Sequence, residues 1–125
     1  MIRITDEEFG KMVEAAVADI PLRFASHLVN IAFRIADEPT RAQLQSGGNL
    51  HGNMTLLGLY EGVPLPLRGG GYSGMVPDII TIFKNPHLLM SGSTRQLRID
   101  VRQTVWHEVA HYFGLDHGQI HALEA

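Results

Sequence analysis

A single domain that mixes helices with short strands is predicted by three features of this chain. Two stretches of helical periodicity each open on a capping box, two further stretches alternate apolar residues as strands do, and 125 residues is the usual size of one core. Thr5 to Glu8 (TDEE) is the first capping box, ahead of Phe9, Met12, Val13, Ala16 and Val17 at helical spacing. This predicts a helix to about Asp19, ended by Pro21. From Leu28 to Asp37, Val29, Ile31, Phe33 and Ile35 share one face of a half-buried strand.

Thr40 to Gln45 can form one helical turn, and Ser46 to Asn53 (SGGNLHGN) is loop by composition. Leu56 to Tyr60 (LLGLY) predicts a second short strand, ended by Gly62, Pro64 and Pro66. Arg68 to Gly74 (RGGGYSG) lacks the Lys-Ser/Thr ending of a phosphate loop and is expected to be a mobile connection. Asp78 to Lys84 (DIITIFK) alternates again, and Asn85-Pro86 closes this third strand. Ser93 and Gln96 make the second capping box, opening a long helix that ends near Phe113; Asp116 can cap a short terminal helix.

Ten basic against thirteen acidic residues give a formal charge of −3, with no run of like charge, which disfavours a dedicated nucleic-acid binder. Without cysteine there is neither disulfide nor thiolate ligand, so any metal site must use histidine and carboxylate. The opening MIRITDEEFG lacks the basic and apolar regions of a signal peptide, and no apolar run reaches membrane-spanning length. A cytoplasmic monomer with no membrane or nucleic-acid partner is the expectation.

The chemistry concentrates in Trp106 to His117 (WHEVAHYFGLDH), where His107, Glu108, His111, Gly114 and His117 spell H-E-x-x-H-x-x-G-x-x-H. On a helix His111 lies about 40° round and about 6 Å along from His107, so both imidazoles can reach one ion; Glu108, about 100° from His107, sits beside the pair. A continued helix would carry His117 out of range. Gly114 can stop it, because glycine enters the left-handed C-cap conformation without steric cost. The helix also divides into an apolar arc of Val101, Val105, Val109, Phe113, Trp106 and Ala110 and an opposite arc of Asp100, Thr104, His107, His111 and Glu108. Core and chemistry are thus expected on opposite faces, with Arg102 a misfit in the apolar arc.

Three histidine ligands, His107, His111 and His117, would leave the fourth position of a zinc ion open for water, as in catalytic sites. Zinc lowers the pKa of such a water to about 7, Glu108 would serve as general base and then general acid, and the expected reaction is amide hydrolysis. Set against this are a chance H-E-x-x-H, and a structural zinc site closed by His121. His27, His51 and His87 are expected to be ordinary surface residues. Asp100 and Asp116 are expected in solvated or capping roles rather than behind a ligand histidine. Tyr72 and Tyr112 could aid an oxyanion but cannot be placed.

The ordered strings Leu56 to Arg68 (LLGLYEGVPLPLR), Tyr72 to Phe83 (YSGMVPDIITIF) and Thr104 to Leu123 resemble the small bacterial minimal-zincin family of zinc metallopeptidases, over roughly the last two thirds of the chain. The resemblance implies an α+β fold in which a small mixed sheet packs on the active-site helix, zinc on His107 and His111, and Glu108 as the catalytic carboxylate. Position 117 would be the third ligand; many members carry Asp there, so His117 moves the site toward the metzincin pattern. The methionine turn of true metzincins is missing, since none of the eight residues after His117 is Met.

The expected function is therefore zinc-dependent hydrolysis of peptides or extended protein segments, with strand Asp78 to Lys84 lining the cleft and pairing with substrate through its backbone. Two alternatives stand beside it. One is a zinc-dependent endoribonuclease of the ribosomal RNA maturation type, whose H-x-x-x-H-x-x-G-x-D-H ending this chain also satisfies but which lacks a carboxylate at the position of Glu108. The other is a zinc-binding interaction protein without turnover.

Overall fold

The structure, a computed structural model, describes residues 2–46 and 56–115. Asp6–Ala18 forms α1, and its capping box is complete: the Thr5 hydroxyl accepts from the Glu8 N–H while the Glu8 carboxylate accepts from the Thr5 N–H. Leu22–Ala25 is a single turn, α2. The first strand, β1, is Ile31–Ala36, three residues shorter at its start than its alternation suggests. The cause is Asn30, whose φ of 56° breaks the extended run and leaves Val29 exposed.

Helix α3 (Arg41–Ser46) is capped by Thr40 and Gln43, and β2 is Gly58–Glu61, followed by a 3-10 turn at Leu65–Leu67. Strand β3 is Asp78–Phe83. Asn85-Pro86 does not simply close it, because Lys84–Met90 continues as helix α4 with Pro86 in its first turn, where a missing N–H costs nothing. The long helix α5 is Thr94–Tyr112. Ser93 caps it by accepting from Gln96 N–H, but the Gln96 side chain turns to Asp100 instead of closing the box.

The three strands form a mixed sheet in the order β1-β3-β2, with β1 parallel and β2 antiparallel to β3. Both long edges of β3 are therefore used. The expectation that Asp78 to Lys84 pairs with a substrate fails for that reason, and among the described residues the edge on the α5 side belongs to β2. Burial of β3 on both faces also hides the alternation seen in its sequence. Ile80 and Ile82 join Phe9, Val13 and Ala16 of α1 and Leu97, Val101, Val105 and Val109 of α5 in one apolar cluster. This is the α+β arrangement of a small sheet against a long helix. No helix among the described residues is long and apolar enough to cross a membrane.

The end of α5 follows a Schellman pattern. Gly114 N–H donates to His111 O, Leu115 N–H donates to Ala110 O, and Gly114 adopts φ 83°. A Cβ at Gly114 would also stand 2.7 Å from Pro66 Cγ. Gly114→Ala should therefore lower unfolding free energy by about 1–3 kcal/mol in urea titration. Gly71→Ala, where a Cβ would meet nothing within 4 Å, should change it by less than about 0.5 kcal/mol.

Candidate metal centre

Winding α5 at about 100° per residue explains where its side chains go. Leu97, Val101, Thr104, Val105, Glu108, Val109 and Tyr112 are all buried and share one arc, while His107 and His111 lie on its flank, half-buried. Core and chemistry are thus neighbours rather than opposites. Glu108 belongs to the buried stripe, because α5 is covered by β2 and β3 as well as by α1. Sequence periodicity underrates this second covering layer, since it counts Thr104, Glu108 and Tyr112 as polar.

The histidine rings approach edge to face, with centroids 4.8 Å apart and planes at 80°. One candidate ligand atom from each of His107, Glu108 and His111 lies within 4.8 Å of the others. Two nitrogens that share a zinc ion at about 2.0–2.1 Å each can be no more than about 4 Å apart, so modest rotamer adjustment closes the pair on one ion.

Glu108 is only 7% exposed, and its carboxylate accepts a hydrogen bond from the backbone N–H of Tyr60. Burial pushes its pKa up to about 7, and the Tyr60 N–H opposes the rise. None of the ion pairs found among the described residues involves it. A buried carboxylate beside two imidazoles, with a peptide N–H but no cationic side chain to hold its charge, is a donor set that suits a divalent cation.

Strand β2 brings that N–H into place. Leu57 O accepts from Phe83 N–H, so by antiparallel alternation residues 59 and 61 face β3 while Gly58 and Tyr60 turn their polar groups outward. Gly58 lets α5 come close: a Cβ there would stand 2.6 Å from Thr104 Cγ2 and 3.3 Å from Glu108 Cγ.

A polar network ties the far end of β2 to α5. Tyr60 Oη donates to Asp78 Oδ2 at 2.5 Å, and Arg68 meets the same oxygen at 2.6 Å. Asp78 is 2% exposed and the Arg68 side chain 7%. Arg68 also donates to Val63 O, Val29 O and the Tyr112 hydroxyl, and its guanidinium stacks on Tyr72 and Tyr112. The RGGGYSG stretch is therefore anchored at its first residue. Neither Tyr60 nor this network stands out by motif. The available signals are an aspartate at the head of an apolar strand and an arginine heading a glycine run.

Several expectations change. Tyr112 is fully buried, donates to His27 O and accepts from Val29 N–H and Arg68, so its hydroxyl is used up. The Tyr72 hydroxyl accepts from Asn30 Nδ2. His87 is a fully buried residue, not a surface one. Its Nδ1 bonds Phe83 O, its Nε2 lies 2.9 Å from the Thr104 hydroxyl, which itself donates to Asp100 O, and burial lowers its pKa. Asp100, as expected, serves near the start of α5, where it accepts from Ser91 and Gln96. Arg102 is explained: it stacks over Trp106 at 5.5 Å and reaches Asp19 at 3.8 Å. His117, the expected third ligand, lies outside the described residues, as do Asp116, His121 and His51.

Comparison with known proteins agrees with this geometry. The chain resembles a solved structure of a conserved hypothetical protein from Thermus thermophilus, with TM-score 0.59 and 22% sequence identity over 88% of this chain and 94% of that chain. At that identity the likeness speaks to the fold. A search of curated proteins returned no match. A family model described as zincin-like metallopeptidase matches residues 28–125, which takes in the whole sheet, the Arg68–Asp78 network and the histidine helix. The chain belongs to the zincin-like metallopeptidase family.

Proposed function

We propose that this protein is a zinc-dependent peptidase in which His107, His111 and His117 hold the metal and Glu108 is the catalytic carboxylate. The observation that carries the reading is the buried Glu108 carboxylate between the histidine pair and the outward edge of β2. Zinc held by these residues would supply Lewis acidity toward a carbonyl and acidify water at the site. Glu108 takes the proton of the attacking water on a carboxylate oxygen and returns it to the leaving nitrogen as the C–N bond breaks. The Tyr60 N–H orients the carboxylate for both transfers. The buried carboxylate also favours a peptidase over the ribonuclease alternative, whose pattern has no acid at position 108.

Glu108→Gln should leave zinc content unchanged, by mass spectrometry, and lower peptide hydrolysis by about 10²–10⁴-fold, the range of a general acid–base group. Undiminished hydrolysis removes Glu108 from the mechanism. His117→Ala should weaken zinc binding by at least about 10-fold in competition with a chromogenic chelator; an unchanged affinity means that position 117 is not a ligand.

Stability of the chelator-stripped protein should report the burial of Glu108. Its folded pKa is raised from 4.5 to about 7, so between these values the folded chain binds more protons than the unfolded one. The stabilisation from the protonated carboxyl is complete below about pH 4.5 and lost as pH rises through about 7. Glu108→Gln, permanently neutral, should therefore be more stable than the parent at pH 8 by on the order of 2 kcal/mol, with the difference vanishing near pH 4.

A further inference from the structure

The sheet has a second outer strand, β1, and its edge lies two strands away from the candidate metal centre. Asp78 N–H donates to Asn30 O, so in the parallel ladder Asn30, Ala32, Arg34 and Ala36 turn their backbone groups toward β3. Ile31, Phe33 and Ile35 therefore direct their N–H and C=O groups outward. No hydrogen bond from a described residue reaches those groups. Asn30, with its φ of 56°, bounds the edge at one end, and Asp37, whose carbonyl accepts from Asn85 N–H, bounds it at the other. The six residues between leave a free edge of about 20 Å.

Natural sheet edges are usually blunted by proline, lysine or a bulge, because an open edge is a template for pairing. This one is not: its register runs unbroken from Ile31 opposite Asp78 to Ala36 opposite Phe83. Its one charge, Arg34, turns back across the sheet, where Nε donates to Thr81 Oγ1 at 3.4 Å. The two faces of the edge differ. Ile31, Phe33 and Ile35 are half-buried against the apolar cluster, with Ile35 Cδ1 4.0 Å from where a Cβ on Gly10 of α1 would stand. Ala32 and Arg34 are exposed on the opposite face, and Ala36 lies beyond them. Alanine is a poor strand former, yet two alanines flank Arg34 and leave room for larger side chains on a neighbouring strand. None of the ion pairs among the described residues involves Arg34.

We infer that the free edge of β1 is a docking surface for an extended segment of a partner protein, one that alternates apolar with polar residues and sets an acid opposite Arg34. The partner's backbone pairs with Ile31, Phe33 and Ile35, its apolar residues continue the layer beneath α1, and its carboxylate meets Arg34 on the other face. A second copy of this chain suits the edge less well. An antiparallel pair centred on Phe33 aligns the outward groups, but it brings both Arg34 side chains onto one face as diagonal neighbours, and IAFRIA contains no acid to offset them. Docking here is independent of the peptidase reading.

Amide exchange followed by NMR tests the edge itself. In the free protein Ile31, Phe33 and Ile35 should exchange at least about 10-fold faster than Ala32, Arg34 and Ala36; equal protection means that the edge is already covered and overturns the inference. Docking is then read by fluorescence anisotropy in zinc-loaded Glu108→Gln protein. The probes are a labelled peptide alternating valine and threonine around one central glutamate, a twin with lysine at that position, and a glutamate peptide N-methylated at alternate residues. The glutamate peptide should bind at least about 3-fold tighter than the lysine twin. N-methylation should weaken it at least about 10-fold, and binding should slow exchange at Ile31, Phe33 and Ile35. Arg34→Glu, at an exposed position, should reverse the order of the two peptides with little change in urea stability. No binding, a preference that survives Arg34→Glu, or binding that leaves those three amides unprotected overturns the docking surface. A dimer of the unliganded protein that protects the same amides makes a second copy the occupant and overturns it too. Chelator-stripped protein should bind the glutamate peptide equally well; binding lost with the zinc places the peptide at the metal centre instead, whereas absence of peptide hydrolysis by the parent protein defeats the peptidase reading alone.

Discussion

The close approach of α5 to β2 is the contact on which the candidate centre depends. A helix carrying two histidines and a glutamate could lie at the surface with all three groups in water. Here Gly58 supplies no side chain, Thr104 and Glu108 fill the space above it, and the glutamate enters the buried stripe. Burial has two consequences. It raises the affinity of the carboxylate for a proton, and it holds the group within reach of a peptide N–H that fixes its direction. A base with a raised pKa and a restricted orientation is better suited to proton transfer than a solvated glutamate, whose pKa is low and whose rotamers are free.

A second buried group, the Arg68–Asp78 pair, keeps that contact in register. Taking both charges from water costs several kcal/mol, and the attraction between them is offset by that cost, so the pair is weak evidence for stability. Its value lies in geometry. Asp78 heads the central strand, Tyr60 belongs to the edge strand, Tyr112 follows His111 on the helix, and Arg68 or Asp78 touches each of these tyrosines. Both carboxylate oxygens of Asp78 have donors, and the Tyr112 hydroxyl has two acceptors, His27 O and Val29 O, and two donors around it. A network satisfied in this way permits only one alignment of strand and helix. The raised pKa of the Tyr60 hydroxyl, caused chiefly by burial and then by its bond to Asp78, fits its place as a permanent donor.

Local rules account for most of the elements. The Thr5–Glu8 box starts α1 as its residues require, and Gly114 ends α5 with the left-handed conformation that only glycine takes easily. The alternation in β1 survives because that strand is covered on one face. Where local rules mislead, a neighbour has intervened. Asn30 truncates β1, and Gln96 prefers Asp100 to closing its box. In α4, Pro86 follows a strand end closely enough to resemble a terminator, although proline is acceptable in a first turn.

The sequence by itself determined the pairing of His107 with His111 and the nearness of Glu108, because the helical repeat dictates which side chains share a face over one turn. The stop at Gly114 was likewise written in the chain, since backbone sterics there are local. Only the tertiary structure decided that Glu108 is buried, that Tyr60 offers it an N–H, that both edges of β3 are paired, and that Arg68 reaches Asp78. These depend on which strand lies beside the helix and how closely they approach, quantities set by contacts between residues far apart in the chain and therefore absent from any local pattern.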